Sequence, residues 1–329
     1  MTYLIIRFST LSNVAMAVPV VASLSKRYPD DKFIVAGKKE LSAMFEQMPN
    51  VEFYEVDNRL NWRGVVELWR ELRNRVDSVI DLQFVRRTRV FDLLMLASGK
   101  SVTRVHYGRI RKQLIIWFGI GRKNMPNEFD RYRDAFRRAG LETDTDFTAL
   151  PVNKRATKVV SQRFGQKKGR WIGIAPFAKS RSNMLPYNVT KEVIQQLSND
   201  EQTRIFLFGA GEIECEMLRQ WAKVFPRTES IAGSLKLEEE LELMRQLDVM
   251  ICMDSANQHL SSLVGLRAVS IWCATHPIIG FTGWKQNQND MIQRQDLRCR
   301  PCTCHGTNHC KYGNFACRKI NAETIILHI

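Results

Sequence analysis

Short apolar runs alternate along almost the whole chain with longer segments whose apolar residues recur at helical spacing, and they do so in two series. YLIIRF (3–8), KFIVAG (32–37), VEFYEV (51–56), SVIDLQ (78–83) and TRVHYG (103–108) are the expected strands of the first series. After Pro151 a second begins with WIGIAP (171–176), RIFLFG (204–209), DVMICMD (248–254) and RAVSIW (267–272). Between strands, Val65, Leu68, Trp69, Leu72 and Val76 lay an apolar stripe along a helix expected over 61–76; similar patterns cover 187–199, 211–224, 236–247 and 256–265. Strands separated by helices pair most readily in parallel, because neighbouring parallel strands need a crossover. The expected class is α/β with two doubly wound parallel sheets, in which ligands gather outside the carboxyl ends of the strands. No short repeat or low-complexity tract occurs, which excludes solenoids and propellers.

At 329 residues and 44% hydrophobic content the chain has the apolar mass for two domains, expected at residues 1–155 and 156–329. No apolar stretch reaches the roughly 20 residues of a membrane span. The charged start and cleavage site of a signal peptide are missing, so a cytoplasmic protein is expected. Two thirds of the net charge of +15 falls between Arg59 and Lys123, where fifteen basic residues stand against five acidic ones. Such a field suits phosphates, nucleic acid or an anionic membrane face, or is a basic solvated surface. QLIIWFGI (113–120) reads as a core segment in preference to a membrane contact, being far too short to span.

STLSNVAMAVPV (9–20) follows the first strand, where an open α/β sheet receives ligands, yet no acidic residue precedes Asp30. Its Asn13 is an amide that takes no proton at neutral pH. MDSANQHL (253–260) follows a buried strand and opens a helix, so unpaired N–H groups there suit a diphosphate. Alternatively, Asp254 or Ser255 caps the helix and His259 sits satisfied on its face. FGAGEIE (208–214) lacks the full G-x-G-x-x-G pattern; either Glu212 or Glu214 reaches a ribose hydroxyl, or the segment is a plain turn. In APFAKSRSNMLP (175–186), Lys179 and Arg181 suit leaving phosphate oxygens unless they are merely solvated. Five of the eight cysteines crowd into LRCRPCTCHGTNHCKYGNFAC (297–317). Cys299, Cys302, Cys310 and Cys317 suit a structural zinc, with disulfides or reduced packing thiols as the alternatives. No carboxylate joins them, so a catalytic metal is not expected. P-loop, G-x-S-x-G and H-E-x-x-H motifs are absent, which removes the familiar kinase and hydrolase readings.

Taken in order, LIIRFSTLSNVAMAVPVVASLSKRYPD, IAPFAK, LFGAGE, LDVMICMDSANQHLSSLVG, SIWCATHP, GFTGW and CRPC resemble the ADP-heptose:lipopolysaccharide heptosyltransferase family. The resemblance implies a GT-B architecture: two Rossmann-like domains facing a central cleft, acceptor on the first and nucleotide sugar on the second. It implies inverting transfer without a catalytic metal, from ADP-heptose to a lipopolysaccharide core or lipid A precursor. The expected protein is a monomer, peripheral at the inner membrane face, with no part for nucleic acid. Carried onto this sequence, Asp254, Ser255, Ala256 and His259 meet the phosphates and Glu212 or Glu214 the ribose, with Met253 or residues around Leu235 beside the adenine. Ser12, Arg59, Arg63, Arg86, Arg87 and Arg89 meet the acceptor, which accounts for the local charge excess.

Two positions depart from the family pattern. Its loop aspartate, the general base, falls on Asn13, and its lysine three residues before the loop proline falls on Asn183, among the donor-site positions. Lys179 and Arg181 are close enough to restore that positive charge. A general base contributes about 10²- to 10⁴-fold. Asn13 can orient an acceptor hydroxyl by accepting its hydrogen bond, but cannot deprotonate it. The chain is therefore either a slowed or re-routed transferase, or a member that binds without turnover.

Overall fold

The computed structural model describes residues 1–8, 10–56, 61–119 and 125–329; the expected acceptor residue Arg59 lies outside them. The chain divides into two units, Met1–Tyr107 with Pro126–Pro151 and Gly108–Met125 with Val152–Ile329. In the first, β1 (Thr2–Ile6), β2 (Lys32–Gly37), β3 (Val51–Glu55), β4 (Ser78–Asp81) and β5 (Ser101–Arg104) pair in parallel in the order β3-β2-β1-β4-β5. Its helices are α1 (Leu11–Ala15), α2 (Val18–Arg27), α3 (Trp62–Leu72), α4 (Arg86–Ala97) and α6 (Glu128–Arg138); α5 (Arg109–Phe118) belongs to the second unit.

The second sheet runs β11-β10-β9-β6-β7-β8, again wholly parallel. Its strands are β6 (Arg170–Ala175), β7 (Thr203–Leu207), β8 (Thr228–Ser230), β9 (Val249–Met253), β10 (Ala268–Trp272) and β11 (Met291–Gln293). Helices α7 (Lys154–Phe164), α8 (Tyr187–Ser198), α9 (Glu212–Val224), α10 (Leu237–Gln246), α11 (Ala256–Leu263) and α12 (Ala322–Ile326) accompany them. Every residue of β9 and β10 is buried, as strands covered on both faces require. Ile172, Ile174, Val249, Ile251, Val269 and Ile271 meet Val193, Leu218 and Trp221 in this unit's core. In the first unit Leu4, Ile6, Ile34 and Val79 pack with Val65, Leu68, Leu72 and Phe91. No helix among the described residues is long and apolar enough to cross a membrane.

Two expected boundaries move. The strand expected at 103–108 occupies Ser101–Arg104, because Gly99, at φ +76, turns the chain immediately after α4. The helix expected over 61–76 closes at Leu72, whose carbonyl accepts the Arg75 N–H at 2.9 Å in a tightened last turn. Its start is fixed by Asn61, whose side chain accepts the Gly64 N–H at 2.8 Å.

Gly169 is the position before β6 that tolerates least change. Its φ is +63, and a Cβ there would lie 2.2 Å from the Gln202 carbonyl oxygen, which accepts the Arg170 N–H that starts the β6–β7 pairing. Gly169→Ala is expected to cost about 2–4 kcal/mol. Gly165→Ala, with φ +78 and ψ −171 but open space around it, lacks the clash and should cost only the backbone strain, about 1–2 kcal/mol. Urea unfolding of the two variants checks the difference.

Candidate functional site

The strand order of the second sheet reverses between β6 and β9, so the turns leaving those strands mark where a doubly wound sheet receives a ligand. β9 ends at the buried Met253, and the chain passes through Asp254 to Ser255, the N-cap residue of α11. Asp254 is held from two sides: Oδ2 accepts from Thr275 Oγ1 at 2.7 Å and Oδ1 from Gln258 Nε2 at 2.9 Å. Burial pushes its carboxyl up to about 6 against the pull of those donors. Ser255 Oγ and His259 Nδ1 are buried polar atoms with no hydrogen-bond partner among the described residues. Such orphans are uncommon in folded proteins. They belong to residues one helical turn apart, beside the half-buried Ala256, where the first N–H groups of α11 lack intrahelical partners. Burial holds the His259 imidazole neutral, down at about 3, so it offers a hydrogen bond rather than a charge. A hydroxyl, a neutral imidazole and helix-start N–H groups together fit a diphosphate.

The chain leaving β6 brings Lys179 and Arg181 to exposed positions. Asn183 instead is buried, its Nδ2 donating to the His305 carbonyl at 3.3 Å. It packs so closely on Gly306, at φ +82, that a Cβ there would lie 2.5 Å from Asn183 Oδ1. The position of the family lysine therefore braces the cysteine-rich segment. Glu214 accepts the Ala210 N–H at 3.0 Å and closes its own turn, whereas Glu212 is exposed at the start of α9. The pattern reading did not single out Glu240, in the first turn of α10, whose carboxyl burial pushes up to about 7.

In the first sheet the reversal lies between β1 and β4. Ser12 and Asn13 are half-buried in the short helix α1 rather than in an open loop, and the Asn13 N–H donates to the Thr10 carbonyl at 2.9 Å. Arg63 is exposed in the first turn of α3; Arg86, Arg87 and Arg89 are exposed at the start of α4. A buried polar cluster also escaped the sequence reading. Arg7 donates to Gln83 Oε1 at 3.0 Å and lies over the rings of Tyr107 and Tyr132. Asp81, ending β4, accepts the N–H groups of Gln83 and Phe84 at 2.7 and 2.8 Å. Asp92 accepts from Arg104 Nε at 2.6 Å, yet burial, followed by the neighbouring Asp81 charge, pushes its carboxyl up to about 7. The available signal was an aspartate ending an apolar strand.

No disulfide joins any of the described cysteines. Among the described residues no three His, Cys, Asp or Glu side chains are placed to hold a metal ion. The expected zinc set of Cys299, Cys302, Cys310 and Cys317 is thus not assembled as these side chains stand; Cys317 packs into the apolar core, where burial raises its thiol. What pins the segment is the buried Arg300. Its guanidinium donates to the carbonyls of Trp272, Cys273 and Thr275 at the end of β10 and of Arg294 just after β11.

Two wholly parallel α/β units with this strand order make up the GT-B class, and solved structures bear the match out. The fold is similar to that of the E. coli ADP-heptose lipopolysaccharide heptosyltransferase II, with a TM-score of 0.72, 16% identity, and 100% of this chain and 97% of that one covered. It is equally similar to a glycosyl transferase family 9 protein from Veillonella parvula, with a TM-score of 0.73, 16% identity, and 99% and 95% covered. The chain belongs to glycosyltransferase family 9 (heptosyltransferase), whose sequence pattern matches residues 65–312. It is similar to the lipopolysaccharide core heptosyltransferase OpsX of Haemophilus influenzae, at 21% identity over 281 residues, 83% of this chain and 79% of that one. It is also similar to the lipooligosaccharide heptosyltransferase 2 of Campylobacter jejuni, at 21% identity over 310 residues, 91% and 89% of the two chains.

The enclosed Asp254 carboxyl generates a pH test. With its folded value near 6 above the ordinary value near 4, the native state binds more protons than the unfolded one between those limits, so its stability contribution falls as pH rises through that window. Asp254→Asn removes the ionisation while keeping both hydrogen bonds formable. The variant should match the parent at pH 4 and exceed it by about 1–3 kcal/mol at pH 8, read by denaturant unfolding at both pH values.

Proposed function

We propose that this chain transfers heptose from ADP-heptose to a lipopolysaccharide core or lipid A precursor with inversion at the anomeric carbon. It does so as a monomer at the cytoplasmic face of the inner membrane. Family membership supports the reaction class. The observation that carries the donor reading is the pair of orphaned polar atoms, Ser255 Oγ and His259 Nδ1, at the start of α11. In this reading Ser255, Ala256 and His259 hold the diphosphate, and Thr275 with Gln258 keeps the Asp254 carboxyl from opposing it. Lys179 and Arg181 neutralise the departing diphosphate, and Glu212 meets the ribose. The donor occupies residues 156–329 and the acceptor residues 1–155, where Ser12, Arg63, Arg86, Arg87 and Arg89 face its anionic groups. The acceptor oxygen bonds to the anomeric carbon as the carbon–oxygen bond to the diphosphate breaks, and the hydroxyl proton passes to solvent. Asn13 orients that hydroxyl.

A second reading, a member that binds donor and glycolipid without efficient turnover, is favoured by Asn13 standing at the family base position. ADP release from ADP-heptose with a heptose-deficient glycolipid separates the two. The parent is expected to release ADP slowly and Asn13→Asp about 10²- to 10⁴-fold faster. His259→Ala should abolish thermal stabilisation by ADP. Stabilisation by ADP with release from neither protein would establish the second reading, and a parent indifferent to ADP would sink both.

A further inference from the structure

α5 packs by one side only. Ile115 is buried with Met125 and Ile279, and the Lys112 ammonium lies 4.3 Å from the centre of the Phe281 ring. The opposite side carries Ile110, Leu114, Trp117 and Phe118, exposed by 80%, 39%, 68% and 66%. At 3.6 residues per turn these four fall within a sector of about 100°, and the exposed Arg111 stands at its edge. The expectation that 113–120 is a core segment is therefore corrected over its described part: one face goes inward, and the other, bulkier face goes out.

Single exposed apolar side chains need no explanation, but a contiguous sector with two aromatic rings marks an interaction site. The first unit repeats the pairing. α4 opens with Arg86, Arg87 and Arg89 and then exposes Val90, Leu93 and Leu96. An aromatic and aliphatic sector flanked by arginine is the composition of a helix lying in the plane of a bilayer surface, with tryptophan at headgroup level. Charge chooses between occupants: a second copy of a chain carrying +15 is repelled, whereas an anionic lipid surface attracts it.

We propose that α5 seats the protein on an anionic bilayer, with Ile110, Leu114, Trp117 and Phe118 between the headgroups and Arg111 against lipid phosphates. This supplies the membrane-facing element that the proposed function leaves open, and it stands on the helix rather than on sugar transfer. The test is co-sedimentation of the full chain with vesicles of phosphatidylcholine alone and with about one third phosphatidylglycerol, without donor or acceptor. The parent binds the anionic vesicles and its tryptophan emission moves to shorter wavelength. Trp117→Ser with Phe118→Ser weakens that binding at least about tenfold. Arg111→Gln weakens it about fivefold at low salt. Both variants keep the parent melting temperature, because the replaced side chains are exposed. Absence of binding by the parent, equal binding by the double variant, or a dimer of the parent that the double variant dissociates would each overturn the proposal.

Discussion

Parallel strand pairing governs this molecule. A parallel strand cannot be reached by a tight turn, so each β-strand except those at the ends of the chain's excursions must be followed by a crossover that packs on the sheet. Every crossover then starts at the same edge, the carboxyl ends of the strands, and the helix starts that collect there bring N–H groups without intrahelical partners. In the second unit this places Ser255 and the first turn of α11 directly after the buried β9, beside the place where strand order reverses. The chemistry available to the chain follows from that edge, because it is the one margin where polar side chains can be held by a rigid sheet without interrupting it.

Charge is managed at the two edges in different ways. At the end of β9 the groups are kept neutral or satisfied: His259 is held uncharged by burial and Asp254 is bound by Thr275 and Gln258. In the proposed site the start of α11 offers a diphosphate dipoles, beside an Asp254 carboxylate engaged by two donors, and hydrogen bonds from neutral groups lose less to added salt than exposed cations do. At the end of β4 and along α4 the balance is reversed, with Arg86, Arg87 and Arg89 exposed and the carboxylates Asp81 and Asp92 withdrawn completely from solvent. Most of the basic residues described in the 59–123 window are thus surface charge; of its five acids Asp81 and Asp92 are enclosed, whereas Glu67, Glu71 and Asp77 are exposed.

The sequence made the sheets legible wherever burial was two-sided. DVMICMD and RAVSIW are apolar because helices cover both faces, and they emerge as β9 and β10 within a residue or two of expectation. The edge strands β8 (TES) and β11 (MIQ) carry no such run, since a strand with one free edge and a half-open face is under no pressure to be apolar. α6 is not legible in the sequence although Phe129, Tyr132, Ala135 and Phe136 are spaced for a helix, because four arginines and aspartates between them mask the stripe. At the site, MDSANQHL announced a helix start after a strand. Its sequence did not announce that Asp254 would be engaged, because Thr275 comes from the loop after another strand. Asn183 was likewise read as a replaced cation, whereas its packing on Gly306 depends on a segment more than a hundred residues away.

The absence of an acid at position 13 has a consequence for how the proposed transfer could run. Asp92 titrates near neutrality and lies in the same unit as Asn13, so it is the obvious substitute on acidity alone. Geometry excludes it: Asp92 is fully buried, bound to Arg104, and neighbours Asp81, which is equally buried. A group that touches neither solvent nor an open surface can lower the energy of the fold around it but cannot exchange a proton with a bound hydroxyl. The barrier must then be lowered from the other side of the reacting bond, by holding acceptor and donor in line and by stabilising the diphosphate as it leaves. In the proposed transfer that assigns greater weight to the α11 start and to Lys179 and Arg181 than a chain keeping an aspartate at position 13 would need, and it makes leaving-group stabilisation, rather than proton removal, the step on which the proposed turnover depends.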